Sequence, residues 1–361
     1  MFISEKSKQH IDSCRFCWMC HHICPIGNAT GLERNTARAR ALGLSLVTRE
    51  AIGLEEVIDN VYECAGCGGC VSVCVTGWDP VMFTKEVRLQ AALEGKLPEY
   101  IQKLVANCLE TGNAYGVKAL DSALEAKIKE HSAKADTLLV LGADARYKMP
   151  EQAIKAIKVL EKADVNFTVL VDEPATGAQL DFLVGAANEA KSQMTEMAKV
   201  MNGYDTVVIY DPFDAKVIKR VYGEYGIELT AKAVTYTAYL AELLEKGQLK
   251  AEKTGKTVVF QDPFQLARDL EETEEARNVI MSYADLTEML LNRKETVWAG
   301  NLLMGEYIPV VMKQVAERRL YNVTSIGQNA VVTACVSEYA SLKAIDQNEV
   351  EVLSIEDLIL G

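Results

Sequence analysis

The chain has 361 residues, more than a single hydrophobic core usually supports, so two or three domains are expected. Apolar residues make up 49% of it, as in an ordinary globular protein, and 38 basic against 51 acidic side chains leave a net charge of -13. That balance argues against nucleic acid as the main partner and against a basic membrane-surface patch. No apolar run reaches the roughly 18 residues needed to span a bilayer, and Met1 to Gln9 lack the apolar core of a secretion signal. The expected location is therefore the cytoplasm, either free or peripheral to a membrane through a partner. In a reducing compartment, clustered cysteines are metal ligands more often than disulfides.

The first element in chain order is a cysteine run, CRFCWMCHHICP, carrying Cys14, Cys17, Cys20 and Cys24. Thirty-nine residues after Cys24 a second run, CAGCGGCVSVCV, carries Cys64, Cys67, Cys70 and Cys74. Both have the spacing C-x2-C-x2-C-x3-C of two-cluster iron–sulfur proteins, and the first ends in the Cys-Pro of the bacterial pattern. Three closely spaced thiolates wrap one face of a cubane, while the turn after them carries the fourth to the other cluster. The expectation is two [4Fe–4S] clusters, one on Cys14, Cys17, Cys20 and Cys74, the other on Cys64, Cys67, Cys70 and Cys24. Structural zinc also uses C-x2-C pairs, but gives no reason for a third cysteine at the same spacing in both runs.

Gly66, Gly68 and Gly69 let the backbone pass close to the sulfurs and aim N–H groups at them. Trp18 and Trp78 are expected to shield the clusters from water. His21 and His22, beside eight sufficient thiols, are expected to be exposed or to lie outside the ligand set.

Between the cysteine runs, ERNTARARALGL reads as a helix with a basic face, and TREAIGLEEVIDNVYEC as another with Thr48 as its N-cap. TGWDP is a turn. FTKEVRLQAALEGK and PEYIQKLVANCLETG read as two further helices, the second with Pro98 near its start and Gly112 near its end. Cys108 falls on the apolar face of that last helix and reads as a core residue.

The pattern changes near Ala135. DTLLVLG, NFTVLV, DTVVIYD, KTVVFQD and AVVTAC are short apolar, β-branched runs alternating with amphipathic helices, the signature of parallel sheets covered on both faces. DTVVIYDPFDAKVIK and NAVVTACVSEYASLK share an ordered similarity, as do TLLVLGADARY and TVVFQDPFQLA, which suggests a duplication. The fold class is thus α plus α/β: a helical two-cluster ferredoxin-like domain over 1–112, then tandem doubly wound α/β repeats over 113–250 and 251–361.

The cysteine motifs, together with FTVLVDEPATG, DTVVIYDPFDAKVIK, YLAELLEKGQLK, VVFQDPFQLAR and VVTACVSEYASLK, resemble a known family. It comprises the cysteine-rich subunits of heterodisulfide reductase, the iron–sulfur subunit of anaerobic glycerol-3-phosphate dehydrogenase, and related lactate or glycolate oxidase subunits. The family's C-terminal repeats carry CCG-type cysteine pairs that hold a further cluster. Here the matching positions read Ala175 and Thr176, Asp211 and Asp214, Phe264, Trp298 to Gly300, and Cys335 with Glu338. The resemblance therefore implies no iron–sulfur cluster in the C-terminal half.

Asp172, Asp211, Asp214, Asp262 and Glu338 fall at or just after strand ends, where open α/β sheets place ligands. Asp211, Asp214, Glu338 and Cys335 are the candidates for a cleft there, against the simpler reading that they cap helices and punctuate turns. The expected function is an electron-transfer subunit. Its clusters would relay electrons between a flavin- or metal-containing catalytic partner and a carrier such as ferredoxin, a quinone or an NAD(P)H-linked protein. Two alternatives are a reductase acting in the C-terminal cleft and an interaction module with structural clusters.

Overall fold

The computed structural model describes residues 3–15, 17–345 and 349–361. Its N-terminal part is helical, with Glu5–Asp12, Pro25–Thr30, Ala37–Thr48, Ile58–Tyr62, Gly69–Ser72, Pro80–Leu93 and Glu99–Thr111 as its α-helices. Local chemistry sets several of their ends. Asp79 caps Pro80–Leu93 by accepting from the amides of Val81 and Met82, with Pro80 in the first turn where no donor is needed. Gly112 closes Glu99–Thr111 in the left-handed conformation at φ 75°.

One helix start differs from expectation. Thr36, whose hydroxyl accepts from the Ala39 amide, caps Ala37–Thr48, so Thr48 ends a helix instead of beginning one. The chain then turns through Glu50 at φ 60° and resumes as a short 3-10 turn and the helix Ile58–Tyr62.

Eight strands follow among the described residues: β1 (Thr137–Val140), β2 (Phe167–Val169), β3 (Thr206–Ile209), β4 (Lys232–Thr235), β5 (Thr257–Gln261), β6 (Asp285–Thr287), β7 (Ala330–Thr333) and β8 (Glu351–Ser354). They form two all-parallel four-stranded sheets, in the orders β2-β1-β3-β4 and β6-β5-β7-β8. The first strand of each sheet thus pairs with both the second and the third. Parallel strands need helical crossovers, which explains the fully apolar middles of β1, β3 and β7.

The first sheet is buried on both faces. Leu138, Val140, Val207 and Ile209 share one core with Leu44, Tyr62, Phe83 and Val87 of the helical part. Leu139 and Val208, pointing the other way by strand alternation, share another with Val258, Phe260, Val332 and Ile355 of the second unit. The C-terminal helix Ile355–Leu360 ties the units further, with Asp357 accepting from Lys155 Nζ at 2.7 Å. The helix Pro309–Ser325 lies against Pro25–Thr30, and Phe264, Trp298, Met304 and Met312 pack with Ile26, Ala65 and Cys67. Sequence-distant segments therefore close over the second cysteine loop.

A candidate two-centre iron–sulfur site

The eight cysteines form two sets. Cys14, Cys17, Cys20 and Cys74 line one cavity of about 360 Å³, with Trp18, Arg38, Thr76 and Trp78 completing its wall. Cys24, Cys64, Cys67 and Cys70 line a second of about 370 Å³. In each, three thiols come from one C-x2-C-x2-C loop and the fourth from the other run.

The chain turns explain that exchange. Cys24 is the N-cap of Pro25–Thr30, its sulfur accepting from the Gly27 amide at 3.4 Å, so the Cys-Pro step swings this thiol away from its own loop. Cys74 follows the short helix Gly69–Ser72 and leaves the second loop in the same way.

The loops match in backbone. Gly68 sits at φ 70° and Trp18, at the equivalent place in the first loop, at φ 69°. A left-handed tryptophan is costly, and here its ring is held by the Arg38 guanidinium, 3.8 Å from its centroid. Gly66, at φ 63°, turns its amide onto the Cys64 sulfur at 3.4 Å. A Cβ at Gly69 would come within 3.0 Å of the Ile23 side chain, so a larger residue would push the two runs apart.

The two sets differ in setting. Cys17 is exposed, and Trp18 is 52% exposed, so the expectation that it seals the outer cavity from water fails. Trp78 does take that role: it is buried, and its Nε1 has no hydrogen-bond partner, leaving a free donor on the cavity wall. Burial pushes the Cys20 thiol up, with Cys14 adding to it. For Cys74 burial acts upward too, but the Thr76 hydroxyl and the amides of Thr76, Trp78 and Gly77 outweigh it and hold the thiol low.

In the inner set, burial pushes Cys24 up to about 12. Cys70 is driven well above its usual value by burial and by Cys67, Cys64 and Cys24 around it. Cys67 is raised by burial, against the pull of Arg268. For Cys64 burial also acts upward, yet Arg40 and Arg88 outweigh it and lower the thiol. The same arginines brace the loop: Arg88 donates to the Cys64 carbonyl at 2.7 Å, Arg268 to the Cys67 carbonyl at 2.7 Å, and Arg40 to the Asn60 carbonyl at 3.0 Å.

This donor chemistry fits an iron–sulfur cluster. Four thiolates that repel one another in a dry cavity need a polynuclear cation to hold them, and N–H groups already point at their sulfurs. Among the described residues, the one group of three or more His, Cys, Asp or Glu side chains with ligand atoms within 4.8 Å of one another is Glu130, His131 and Glu161. A single tetrahedral zinc would give no reason for a third cysteine at the same spacing in both runs. The exposed Glu130–His131–Glu161 group is bridged internally, Lys127 donating to both glutamates. His21 faces Glu33 at 3.6 Å and His22 is exposed, so neither completes the thiol sets.

The C-terminal candidates are buried and engaged with their surroundings. Asp214 accepts from the Thr176 hydroxyl. Glu338 accepts from Gln261 at 3.2 Å and from the Ala299 amide at 3.3 Å. Burial raises Asp214 to about 7 and Glu338 to about 8. Asp211 caps its helix through the Phe213 amide, while its Oδ2 lacks a hydrogen bond. Asp262 is clamped by Arg277 at 2.6 and 2.8 Å. Asp172 lines an open cavity at another place, with Glu173 and Tyr147.

Cys335 is pushed well above the usual thiol range by burial, then by Asp211 and Glu338, so it is not an activated nucleophile. A cavity of about 450 Å³ reaches Ala175 and Thr176, but Asp211, Asp214, Cys335 and Glu338 do not line it. Cys108 is buried, as its helix face indicates. Sequence reasoning missed Arg40, Arg88 and Arg268, because no local pattern marks an arginine whose contact lies 20, 24 or 201 residues away.

The 4Fe-4S dicluster domain family matches residues 10–78, the span that holds all eight thiols. Over 90% of its length the chain is 25% identical to a dihydromethanophenazine:CoB--CoM heterodisulfide reductase subunit from Methanosarcina acetivorans, covering 86% of that protein. The chain is an iron–sulfur protein that resembles this heterodisulfide reductase component. The corresponding Methanosarcina mazei protein is 22% identical over 90% of this chain and 86% of its own. A fumarate reductase (CoM/CoB) subunit from Methanothermobacter marburgensis is 21% identical, over 96% of this chain and 71% of its own. Among solved structures, an aspartate racemase homologue from Pyrococcus horikoshii OT3 covers 63% of this chain and 96% of its own at 13% identity and a TM-score of 0.28. At that score the likeness carries no argument. The relatives support electron transfer in a reductase, and among the described residues no helix is long and apolar enough to cross a membrane.

Proposed function

We propose that the chain is the electron-relay subunit of a reductase complex, holding two [4Fe–4S] clusters. Cys14, Cys17, Cys20 and Cys74 would hold the outer one, and Cys24, Cys64, Cys67 and Cys70 the inner one. The observation that carries this reading is the sorting of the eight thiols into two cavities by exchange of the fourth cysteine. Cubanes supply reversible one-electron chemistry, suited to a partner whose flavin or metal centre handles two electrons.

The chain's own residues do the rest. Exposed Cys17, Trp18 and Met19 bring the outer set to the surface where a partner can approach. Arg40, Arg88 and Arg268 hold positive charge beside the inner set, and Phe264, Trp298 and Met304 keep water from it. A guanidinium near a cluster stabilises its reduced form and so raises its potential.

The three-part division at 112 and 250, with two tandem α/β repeats, accords with the shared strand order of the two sheets. We further propose that the C-terminal half holds no cluster. Ala175 and Thr176 stand where thiols would be needed, and buried Phe264 and Trp298 fill the second repeat's equivalent places. The catalytic partner would be a flavoprotein, and the carrier a ferredoxin, quinone or NAD(P)H-linked protein.

Anaerobic affinity purification tests this reading. About eight irons and eight sulfides per chain, with a co-eluting flavoprotein, are expected. About twelve irons would show a C-terminal cluster, and substrate turnover by the isolated chain would replace the relay with a self-contained enzyme.

A further inference from the structure

The two cysteine runs diverge after their fourth thiol. The first continues with Pro25, Ile26 and Gly27, the second with Val75, Thr76 and Gly77. In the first, Pro25 opens a helix, the Gly27 amide donates to the Cys24 sulfur, and Ile26 packs with Ala65 and Cys67 of the inner loop. The second opens no helix at that point. Gly77 takes the left-handed conformation at φ 68°, and its amide meets the Cys74 carbonyl at 3.3 Å, closing a tight turn.

That turn folds back over the Cys74 sulfur. Thr76 Oγ1 lies 3.3 Å from Cys74 Sγ, in the place that apolar Ile26 takes after the first run. The amides of Thr76, Gly77 and Trp78 also face this sulfur. A cysteine bound to iron is a thiolate and can only accept, so the hydroxyl must then be the donor.

The bond has no evident structural duty. Val75, Thr76 and Gly77 are exposed, and the following helix is capped by Asp79 without help from Thr76. Among the described residues, the contact with Cys74 is the one hydrogen bond of the Thr76 side chain.

We propose that Thr76 is a positioning residue that raises the outer centre's reduction potential, its hydroxyl donating to the Cys74 sulfur. Reduction adds electron density to the sulfurs, and donors aimed at them favour the reduced form. The inner thiols have arginine charges beside them, so the two potentials answer to different chemistry. The inference rests on the relay reading, which puts a cluster on Cys14, Cys17, Cys20 and Cys74.

The test is a redox titration of the anaerobically purified, iron-loaded chain, followed by electron paramagnetic resonance. The outer signal is the one that Cys17→Ala removes. Thr76→Val, which deletes the hydroxyl and keeps the shape, should lower the outer centre's reduction equilibrium constant about fivefold, or about 40 mV for one electron. Its inner centre and iron content should stay unchanged, and Thr76→Ser should restore the wild-type value. Gly77→Ala should shift the outer potential the same way, since its Cβ meets open space and only the left-handed backbone is strained. In deuterated buffer, Thr76→Val should also lose one exchangeable deuteron coupling at the outer centre.

An outer equilibrium that Thr76→Val moves by less than about 1.5-fold overturns the proposal. So does a Thr76→Ser variant that behaves like Thr76→Val, or an equal shift of both centres. A wild-type chain without two reversible signals refutes the relay and this inference with it. Two signals with an unmoved outer potential refute this inference alone.

Discussion

Arg268 reaches the inner thiol loop from the far end of the chain. Its Nε donates to the Cys67 carbonyl, and Nη1 to the Thr296 carbonyl at 2.6 Å. A unit charge at contact range and an effective dielectric of ~20 is worth up to ~4 kcal/mol, and 1.4 kcal/mol is about 59 mV for one electron. Arg268→Gln should therefore lower the inner centre's potential by tens of millivolts, up to ~170 mV, without moving the outer one. Arg268→Lys, which keeps the charge, should recover most of the shift; a redox titration followed by electron paramagnetic resonance reads both.

Residue-scale chemistry also sets a pH dependence. Burial raises Glu356 to about 7, as it raises Asp214 to about 7 and Glu338 to about 8. An acid whose folded-state value lies above its unfolded one binds a proton more tightly when folded. Its stabilising contribution is complete below the unfolded value and is lost as pH rises through the folded one. The thermal midpoint should thus fall between about pH 4.5 and pH 8, and Glu356→Gln should flatten that slope in differential scanning fluorimetry.

Among elements, those governed by neighbouring residues were readable in advance. The Cys-Pro step and the Gly112 stop depend on side chains one to three positions away, and each acts where its pattern placed it; Asp79 and Pro80, read as part of a turn, instead begin the helix Pro80–Leu93. Thr48 misled because Thr36, an equally good cap, sits twelve residues upstream and starts a helix that then consumes Thr48. The strands β1, β2, β3, β5 and β7 were legible from their apolar middles, whereas the edge strands β4, β6 and β8, which lack such a middle, were not read. The burial of the acids at strand ends was not legible, since it depends on how one unit's strand ends meet the other's. Asp144 follows β1 and Ser337 follows β7, yet the Ser337 hydroxyl donates to Asp144 inside the protein. Trp298, in the loop after β6, shows what such closure contributes. It is 2% exposed and packs beside Cys67, so Trp298→Ala should cost about 3–5 kcal/mol in denaturant unfolding and hasten loss of inner iron.

For the whole molecule, the shared cores matter more than the domain division. One core joins the helical part to the first sheet and another joins the two sheets, while a third lies within the C-terminal unit itself. Unfolding of the iron-loaded chain should follow one cooperative transition in calorimetry, and two well-separated transitions would count against this packing. The same closure places the inner thiols beneath the C-terminal unit and leaves the outer ones near solvent, a polarity on which the relay depends. It rests on the exchange of fourth ligands between the two cysteine runs, which iron content and resonance spectra of Cys74→Ala and Cys24→Ala test most directly. Cys74→Ala should lose about four irons and the same signal that Cys17→Ala loses, while Cys24→Ala should lose the signal lost in Cys67→Ala. If instead Cys74→Ala removes the centre that Cys67→Ala removes, each run holds its own cluster and the account is wrong.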